Sequence, residues 1–279
     1  MSPKKKIIYD LGSNNGDDIP YYLKRADLVI ALEANPALCD QIKAKFGSQI
    51  SFGKLKVENI VLTDADDGAN VPFYLSKLHH VHGQFPRPDD STINQYDRVL
   101  LPSKSICSLL REHGDPYYIK IDLEHYDEII LKSLFEHNIR PPYISAESHS
   151  VAIFCLLVAL GGYNAFKLVD GRSVSTEYSN CQISGLDGLE SYSFPMHSAG
   201  PFGDDIDGNW FTAGNFFRLL AAEGLGWKDI HATNTVIANP DLRPKVRFGK
   251  ALGTFARYVM RPRIPNSVWH VCSRIYQSL

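Results

Sequence analysis

The chain of 279 residues carries 31 acidic side chains against 29 Lys and Arg, with 44% apolar residues. That bulk permits one substantial core in a single elaborated domain, and the near balance of charge excludes a global field for nucleic acid, leaving recognition to specific sites. Cys39, Cys107, Cys155, Cys181 and Cys272 are an odd set without Cys-x-x-Cys spacing, which suggests neither a disulfide framework nor a zinc site.

Met1-Ser-Pro-Lys-Lys-Lys6 is basic but runs into a strand of only a few apolar positions, with no signal-peptide core or cleavage site, so a cytoplasmic protein is expected. The first strand is the apolar run that ends at Asp10, followed by a turn with Gly12 and Gly16. Open α/β sheets place ligands at this end of a strand, and the glycines would let the backbone approach one closely. A helix is expected over 17–25, with Pro20 near its start. Leu28-Val-Ile-Ala-Leu-Glu33 reads as the second strand, and Glu33 stands about 20 residues past the first glycine, a spacing at which an acid takes ribose hydroxyls. The turn is not Gly-x-Gly-x-x-Gly, because Asn14 occupies the middle glycine position. Asp17 and Asp18 also put negative charge at the helix start, which disfavours a pyrophosphate. It suits a nucleoside carrying positive charge, such as S-adenosylmethionine (SAM).

Further along, helix is expected over 36–46 with Gly47 as its stop, strand over 57–63 and strand over 71–75. His79, His80 and His82 invite a metal reading, yet on a strand only His80 and His82 share a face; a substrate-facing histidine or a solvated loop are the other readings, and no metal ligand is assigned. Residues 84–96 read as loop and 101–113 as an amphipathic helix, inward at Ile106, Leu109 and Leu110. Tyr117-Tyr-Ile-Lys-Ile-Asp-Leu123 is a central strand whose Lys120, Asp122 and Glu124 share one face, either for function or as an ion pair with Lys120. Helix over 127–137 and strand from Tyr143 follow, with Glu147 and His149 on one face as candidate acceptor contacts.

Residues 151–160 are a buried helix too short to cross a bilayer. Tyr163 and Lys167 have the spacing of a dehydrogenase pair, but Phe166-Lys-Leu-Val169 reads as strand, so the match is discounted. From 170 to 208 the pattern lapses into loop with Tyr178, Tyr192, Phe194 and Phe202, aromatic faces suited to a glycan, with Asp204, Asp205 and Trp210 at the edge; the bland reading is an insertion packed by its own rings. A helix over 211–222 follows, then Asp229 and His231 on one face of an extended segment. From Arg243 onward there are eight Lys or Arg and no acids, interleaved with aromatics, so this tail is a candidate for peripheral contact with an anionic membrane surface or for simple packing on the body.

Four blocks in order, Tyr9-Asp-Leu-Gly-Ser-Asn-Asn-Gly-Asp17, Leu32-Glu-Ala-Asn-Pro36, Tyr118-Ile-Lys-Ile-Asp-Leu-Glu124 and Ile144-Ser-Ala-Glu147, resemble the FkbM-type methyltransferases, class I SAM-dependent enzymes. The resemblance covers roughly the first 150 residues. It implies a doubly wound, mostly parallel α/β sheet of the Rossmann-like class I type with a reversed last strand and a lengthened C-terminal acceptor region. The division expected is a SAM-binding core over 1–170, an acceptor region over 171–240 completing the same domain, and the tail over 241–279. The implied cofactor is SAM, held by Asp10, Gly12, Ser13, Asn14, Gly16, Asp17, Glu33, Ala34, Asn35, Asn59 and Asp122; Asn59 and Asp64 are candidate base contacts or plain strand-end polars. The implied reaction is O-methylation, with a sugar of a glycan or lipid-linked precursor as acceptor and Asp122, Glu124, His125 and His149 as candidate bases. Where the family usually has glycine after the second acid, this chain has His125. A nicotinamide-dependent sugar oxidoreductase and a non-catalytic nucleoside- or glycan-binding homologue are the rival readings, and a homo-oligomer is a further candidate.

Overall fold

The computed structural model describes residues 5–64, 68–78, 83–245 and 248–255, without the side chains of His125, Phe248, Lys250 and Ala251. His79, His80, His82 and the tail from residue 256 lie outside the described residues. The elements are β1 (Ile7–Leu11), α1 (Ile19–Arg25), β2 (Leu28–Leu32), α2 (Pro36–Lys45), α3 (Gly47–Ser51), β3 (Leu55–Glu58), β4 (Val61–Thr63), β5 (Asn70–Ser76), β6 (Gly83–Gln84), β7 (Tyr96–Ser105) and α4 (Ile106–His113). They continue with β8 (Tyr118–Ile121), α5 (Asp127–Glu136), β9 (Tyr143–Ser148), α6 (Val151–Ala159), β10 (Ala165–Asp170), α7 (Val174–Glu177), β11 (Cys181–Gly185), β12 (Gly188–Tyr192), α8 (Ala213–Glu223), β13 (Gly226–Thr233) and α9 (Phe248–Phe255).

Seven strands form one sheet in the order β10-β13-β9-β8-β1-β2-β3. The strands from β9 across to β3 are parallel, and β13 runs antiparallel between β9 and β10. This is the doubly wound α/β sheet with a reversed last strand that the sequence implied. β2 is an unbroken apolar run and β1 is apolar except for Asp10; both are buried along their whole length, as parallel strands covered on both faces must be. One face carries Tyr9, Leu11, Ile119, Ile121 and Ile144 against the apolar sides of α4, α5, α6 and α8. The other carries Ile8, Val29, Tyr118 and Tyr143 against α1, α2 and the 178–206 segment.

That second covering layer overturns the expected glycan platform. Tyr178, Phe194 and Phe202 are buried, and Phe202 stacks on Tyr118 with ring centroids 4.0 Å apart. Asp205 is consumed as well: it accepts from the Tyr21 hydroxyl at 2.8 Å and pairs with buried Arg25 at 3.3 Å. The 171–210 insertion contains the β11–β12 hairpin and closes the core with its own rings, because the aromatic faces find Tyr21 and Tyr22 on α1 and Tyr118 on the main sheet.

Other expectations also shift. The strand expected over 57–63 is divided at Asn59 and Ile60, where β3 leaves the main sheet and β4 joins a second sheet, ordered β4-β7-β5-β6. Much of the loop expected over 84–96 borders this sheet, and the helix expected from 101 begins only at Ile106. Its apolar spacing starts there, and Ser105 supplies the cap by accepting from Ser108 N at 3.1 Å. Ser105→Ala is expected to lower stability by about 1 kcal/mol in urea unfolding; no change in midpoint would remove the cap from the account. α6 is less buried than its composition suggests, with Val151 and Cys155 exposed and only Ile153, Phe154 and Leu157 fully inward. The first part of the basic tail packs on the body: Arg243 donates to Asn215 at 3.0 Å, and Thr254 in α9 donates to the Ala222 carbonyl at 2.8 Å. Among the described residues no helix is long and apolar enough to cross a membrane.

Candidate functional site

A crevice opens over the carboxyl ends of β1, β2 and β8, the position that strand direction dictates for an open parallel sheet. Its floor is Gly12, Leu32 and Asp122; Glu33 and Asn14 stand at one end, and Glu124 and Tyr126 at the other. The second sheet supplies the facing wall through Val61, Leu62, Phe73 and Phe85. A slot that mixes apolar side chains with the acids Glu33, Asp122 and Glu124 is suited to a flat heterocycle with polar and cationic substituents.

Glu33 is the best-defined element. Its carboxylate accepts from Asn14 N at 2.8 Å and Asn35 N at 2.7 Å, which fixes its direction while leaving lone pairs on both oxygens for hydroxyl donors. Burial pushes its pKa up to about 7, against the lowering pull of those two amides. Asn59 is not in the crevice lining: its amide donates to the Glu33 and Ala34 carbonyls at 2.9 and 3.0 Å and so braces the end of β2. Ala34 lies in the crevice lining, whereas Asn35 caps α2 by accepting from Ala37 N at 3.0 Å. Asp64 accepts from the Tyr126 hydroxyl at 3.0 Å.

The bend after β1 spends its own donors internally. Gly12 N and Ser13 N donate to the Leu32 carbonyl at 3.0 and 2.9 Å, Gly16 N donates to the Ser13 carbonyl at 2.8 Å, and Asn14 N is held by Glu33. A pyrophosphate needs several such amides unspent, so this bend is not a dinucleotide cradle. Besides lining the crevice, Gly12 approaches the protein's own chain: a Cβ on it would fall 1.9 Å from the Asp122 carbonyl oxygen. Gly16 likewise faces Ile19, Ile42 and Phe46.

Three further expected cofactor residues are used elsewhere. Ser13 is buried and its hydroxyl donates to the Asp10 carbonyl at 2.9 Å. Asp10 is fully buried beside Lys120, 3.6 Å away, and burial raises its pKa. The strand registers explain this: Asp10, Lys120, Ser145, His231 and Lys167 lie opposite one another across five neighbouring strands and form a buried polar row under the crevice. His231 belongs to that row, its pKa pushed down to about 3 by burial and by Lys167, and takes no part in the crevice lining. Asp17 turns to Asn15 and Lys45, and α1 begins only at Ile19, so its first turn holds no acid. Asp18 instead accepts from the Ser198 hydroxyl and from Ala199 N, tying α1 to the insertion.

Of the candidate bases, Asp122 and Glu124 line the crevice. Lys120 approaches Asp122 at 3.2 Å, so the ion pair is real and the Asp122 carboxylate is half-exposed above it. Glu124 adopts φ +57°, a left-handed backbone that in this chain falls on the acid itself. The side chain of His125 lies outside the described residues. His149 is not in the lining but joins Glu147 at 3.1 Å, and Asp122, Glu147 and His149 each offer a ligand atom within 4.8 Å of the others. Sequence reasoning missed Asp127, read there only as a helix start; it is buried, with one oxygen 3.8 Å from His149. Its sole sequence signal was an acid three residues after Glu124, too common a pattern to mark a site.

No family model matches the chain, and no curated protein matches it. Among solved structures, a methyltransferase FkbM from Methylobacillus flagellatus aligns with a TM-score of 0.38 at 11% identity, over 59% of this chain and 39% of that one. A SAM-dependent O-methyltransferase from Thermotoga maritima gives 0.37 at 7% identity, over 85% and 62% of the two chains. A spermidine synthase in complex with the transition-state analogue AdoDATO gives 0.36 at 10% identity, over 95% and 69%. The chain thus spans well under half the length of the first of these. At such scores the likeness bears on neither substrate nor residue roles.

Proposed function

We propose that this chain is a SAM-dependent O-methyltransferase acting on a hydroxyl, with a sugar of a glycan or lipid-linked precursor as the acceptor class. The observation that carries the cofactor is Glu33, a carboxylate held by two backbone amides in the crevice lining, beside a bend whose Gly12, Ser13, Asn14 and Gly16 amides are already engaged. Ribose hydroxyls would donate to Glu33, the adenine would lie against Leu62 and Phe73, and the sulfonium end would point toward Asp122 and Glu124. The sugar rests on the resemblance of the four sequence blocks alone, since the rings of the insertion are packed inside.

In the reaction a bond forms from the acceptor oxygen to the methyl carbon while the carbon–sulfur bond breaks, the electron pair staying on sulfur and the hydroxyl proton leaving to water. Alignment of oxygen, methyl and sulfur supplies most of the rate enhancement, and a nearby base or cation helps the proton leave. Asp122, Glu124, His125 and His149 remain the proposed groups at that end.

Calorimetry with SAM, S-adenosylhomocysteine and NAD tests the reading. Binding of the first two and not the third is expected; NAD binding without SAM binding overturns it in favour of an oxidoreductase. SAM binding with no turnover on a panel of nucleotide- and lipid-linked sugars would favour a non-catalytic homologue. Contact of the basic tail with anionic membranes and self-association are carried as further parts of the proposal, tested by vesicle sedimentation and by equilibrium ultracentrifugation.

A further inference from the structure

We propose that Asp122, Glu147 and His149 form a divalent-cation site at the end of the crevice, with Asp127 behind it. The three ligand atoms come from the ends of two neighbouring parallel strands, β8 and β9, and all lie within 4.8 Å of one another. Asp122 also lines the crevice, so a cation held there would face whatever occupies it.

Among the described side chains the cluster carries more acid than base: three carboxylates, Asp122, Glu147 and Asp127, meet the His149 imidazole, and Lys120, 3.2 Å from Asp122, is shared with buried Asp10. Asp127 provides an independent observation. Its side chain is 3% exposed, and Oδ1 accepts from Leu123 N at 2.7 Å. Among the described residues Oδ2 has no hydrogen-bond partner, and it faces His149 Nε2 3.8 Å away. A buried carboxylate oxygen without a partner is costly unless something is brought to it. A water on the cation would donate to it, as outer-shell carboxylates commonly serve metal sites.

A second cluster shows what a satisfied arrangement looks like. Glu58, Glu112 and His113 are equally close together. There, however, Lys104 reaches Glu112 at 2.6 Å and Glu58 at 3.9 Å, and Lys56 lies 3.3 Å from His113. Lysines already neutralise that group, and no cation is needed. Two carboxylates and one imidazole with room for water match Mn²⁺ better than an all-oxygen Mg²⁺ shell or a thiolate site.

The inference rests on the proposed methyl transfer only for its role, where the cation would bind the acceptor hydroxyl, lower its pKa and orient it toward the methyl group. The site itself is tested without SAM, by titrating MnCl₂ into the full chain in a calorimeter and following the loss of the free-Mn²⁺ electron spin resonance signal. One Mn²⁺ per chain is expected, weakened at least about tenfold by Glu147→Gln and by His149→Ala. Glu112→Gln in the lysine-neutralised cluster should bind as the parent does. Thermal unfolding with and without Mn²⁺ guards against a misfolded variant, since Mn²⁺ should raise the midpoint of the parent and of Glu112→Gln but not of Glu147→Gln. Failure of the parent to bind Mn²⁺, Mg²⁺ or Zn²⁺, or equal binding in all three variants, overturns the site. Mn²⁺ binding as expected with no SAM binding upholds the site and overturns the methyltransferase reading; SAM binding without any cation does the reverse.

Discussion

Glu33→Ala is expected to weaken SAM binding by at least about 100-fold in calorimetry, corresponding to two charge-assisted hydrogen bonds of about 1.5 kcal/mol each. The same substitution strips the acceptor from Asn14 N and Asn35 N, both of which the carboxylate holds in the apo chain. Leaving those amides without partners costs stability, of the order of 1–3 kcal/mol for each one that water cannot reach. Glu33 also gives the binding a pH dependence. Its pKa in the folded chain is about 7, above the ordinary carboxylate value, because burial disfavours the charge. A raised pKa means that its contribution to stability is complete below the unfolded value and is lost as pH rises through about 7. Cofactor binding runs the other way, because hydroxyl donors and a cationic ligand favour the ionised form. The SAM dissociation constant should therefore be about tenfold larger at pH 6 than at pH 8, with net proton release on binding near pH 6.5. Titrations in two buffers of different ionisation enthalpy measure that release. Normal SAM binding by Glu33→Ala, or no proton release in the parent, would sink the ribose assignment.

The parts legible in the sequence were those set by local pattern. β1, β2, β8 and β9 are short apolar runs ending in polar residues, and Glu33 was found from its distance along the chain to the first glycine. Position across the sheet could not be read that way. Asp10 looked like a ligand because it ends a strand, yet register against Lys120 makes it part of a buried row, and only non-local pairing sets register. The strand that ties β4 to β5 was missed for a related reason: β7 reads Tyr-Asp-Arg-Val-Leu-Leu-Pro-Ser-Lys-Ser, without clean alternation, and gains its strand form from pairing with β5 along seven positions. The rings at Tyr178, Phe194 and Phe202 read from the sequence either as a glycan platform or as an insertion packed by its own rings, and their polar neighbourhood could not decide between the two. Their partners, Tyr21 and Tyr118, lie far earlier in the chain. Asp127 became visible as a site residue only once β9 brought His149 beside it.

Gly12→Ala should be the most destructive single methyl in the described residues of the bend, lowering stability by more than about 4 kcal/mol in urea unfolding or preventing folding outright. Two effects add. The residue has φ +89°, a region in which an L side chain is strained. The new Cβ would also sit 1.9 Å from the Asp122 carbonyl oxygen and 2.9 Å from its carbon. Relief would need β1 and β8 to part where Asp122 N donates to the Leu11 carbonyl at 2.9 Å, while on its other side Gly12 is tied to β2, its N donating to the Leu32 carbonyl at 3.0 Å. Backbone held on both sides has no cheap direction in which to move. Gly16→Ala makes the contrast. Its φ of +77° carries similar strain, but the new atom meets only side chains, Ile19 and Ile42 at 3.1 Å and the Phe46 ring at 3.3 Å, which can shift by a few tenths of an ångström. It should cost about 1–2 kcal/mol and leave SAM binding nearly intact. If the two variants unfold at the same urea concentration, the bend does not close on Asp122, and the floor of the crevice is not where Gly12 and Asp122 place it.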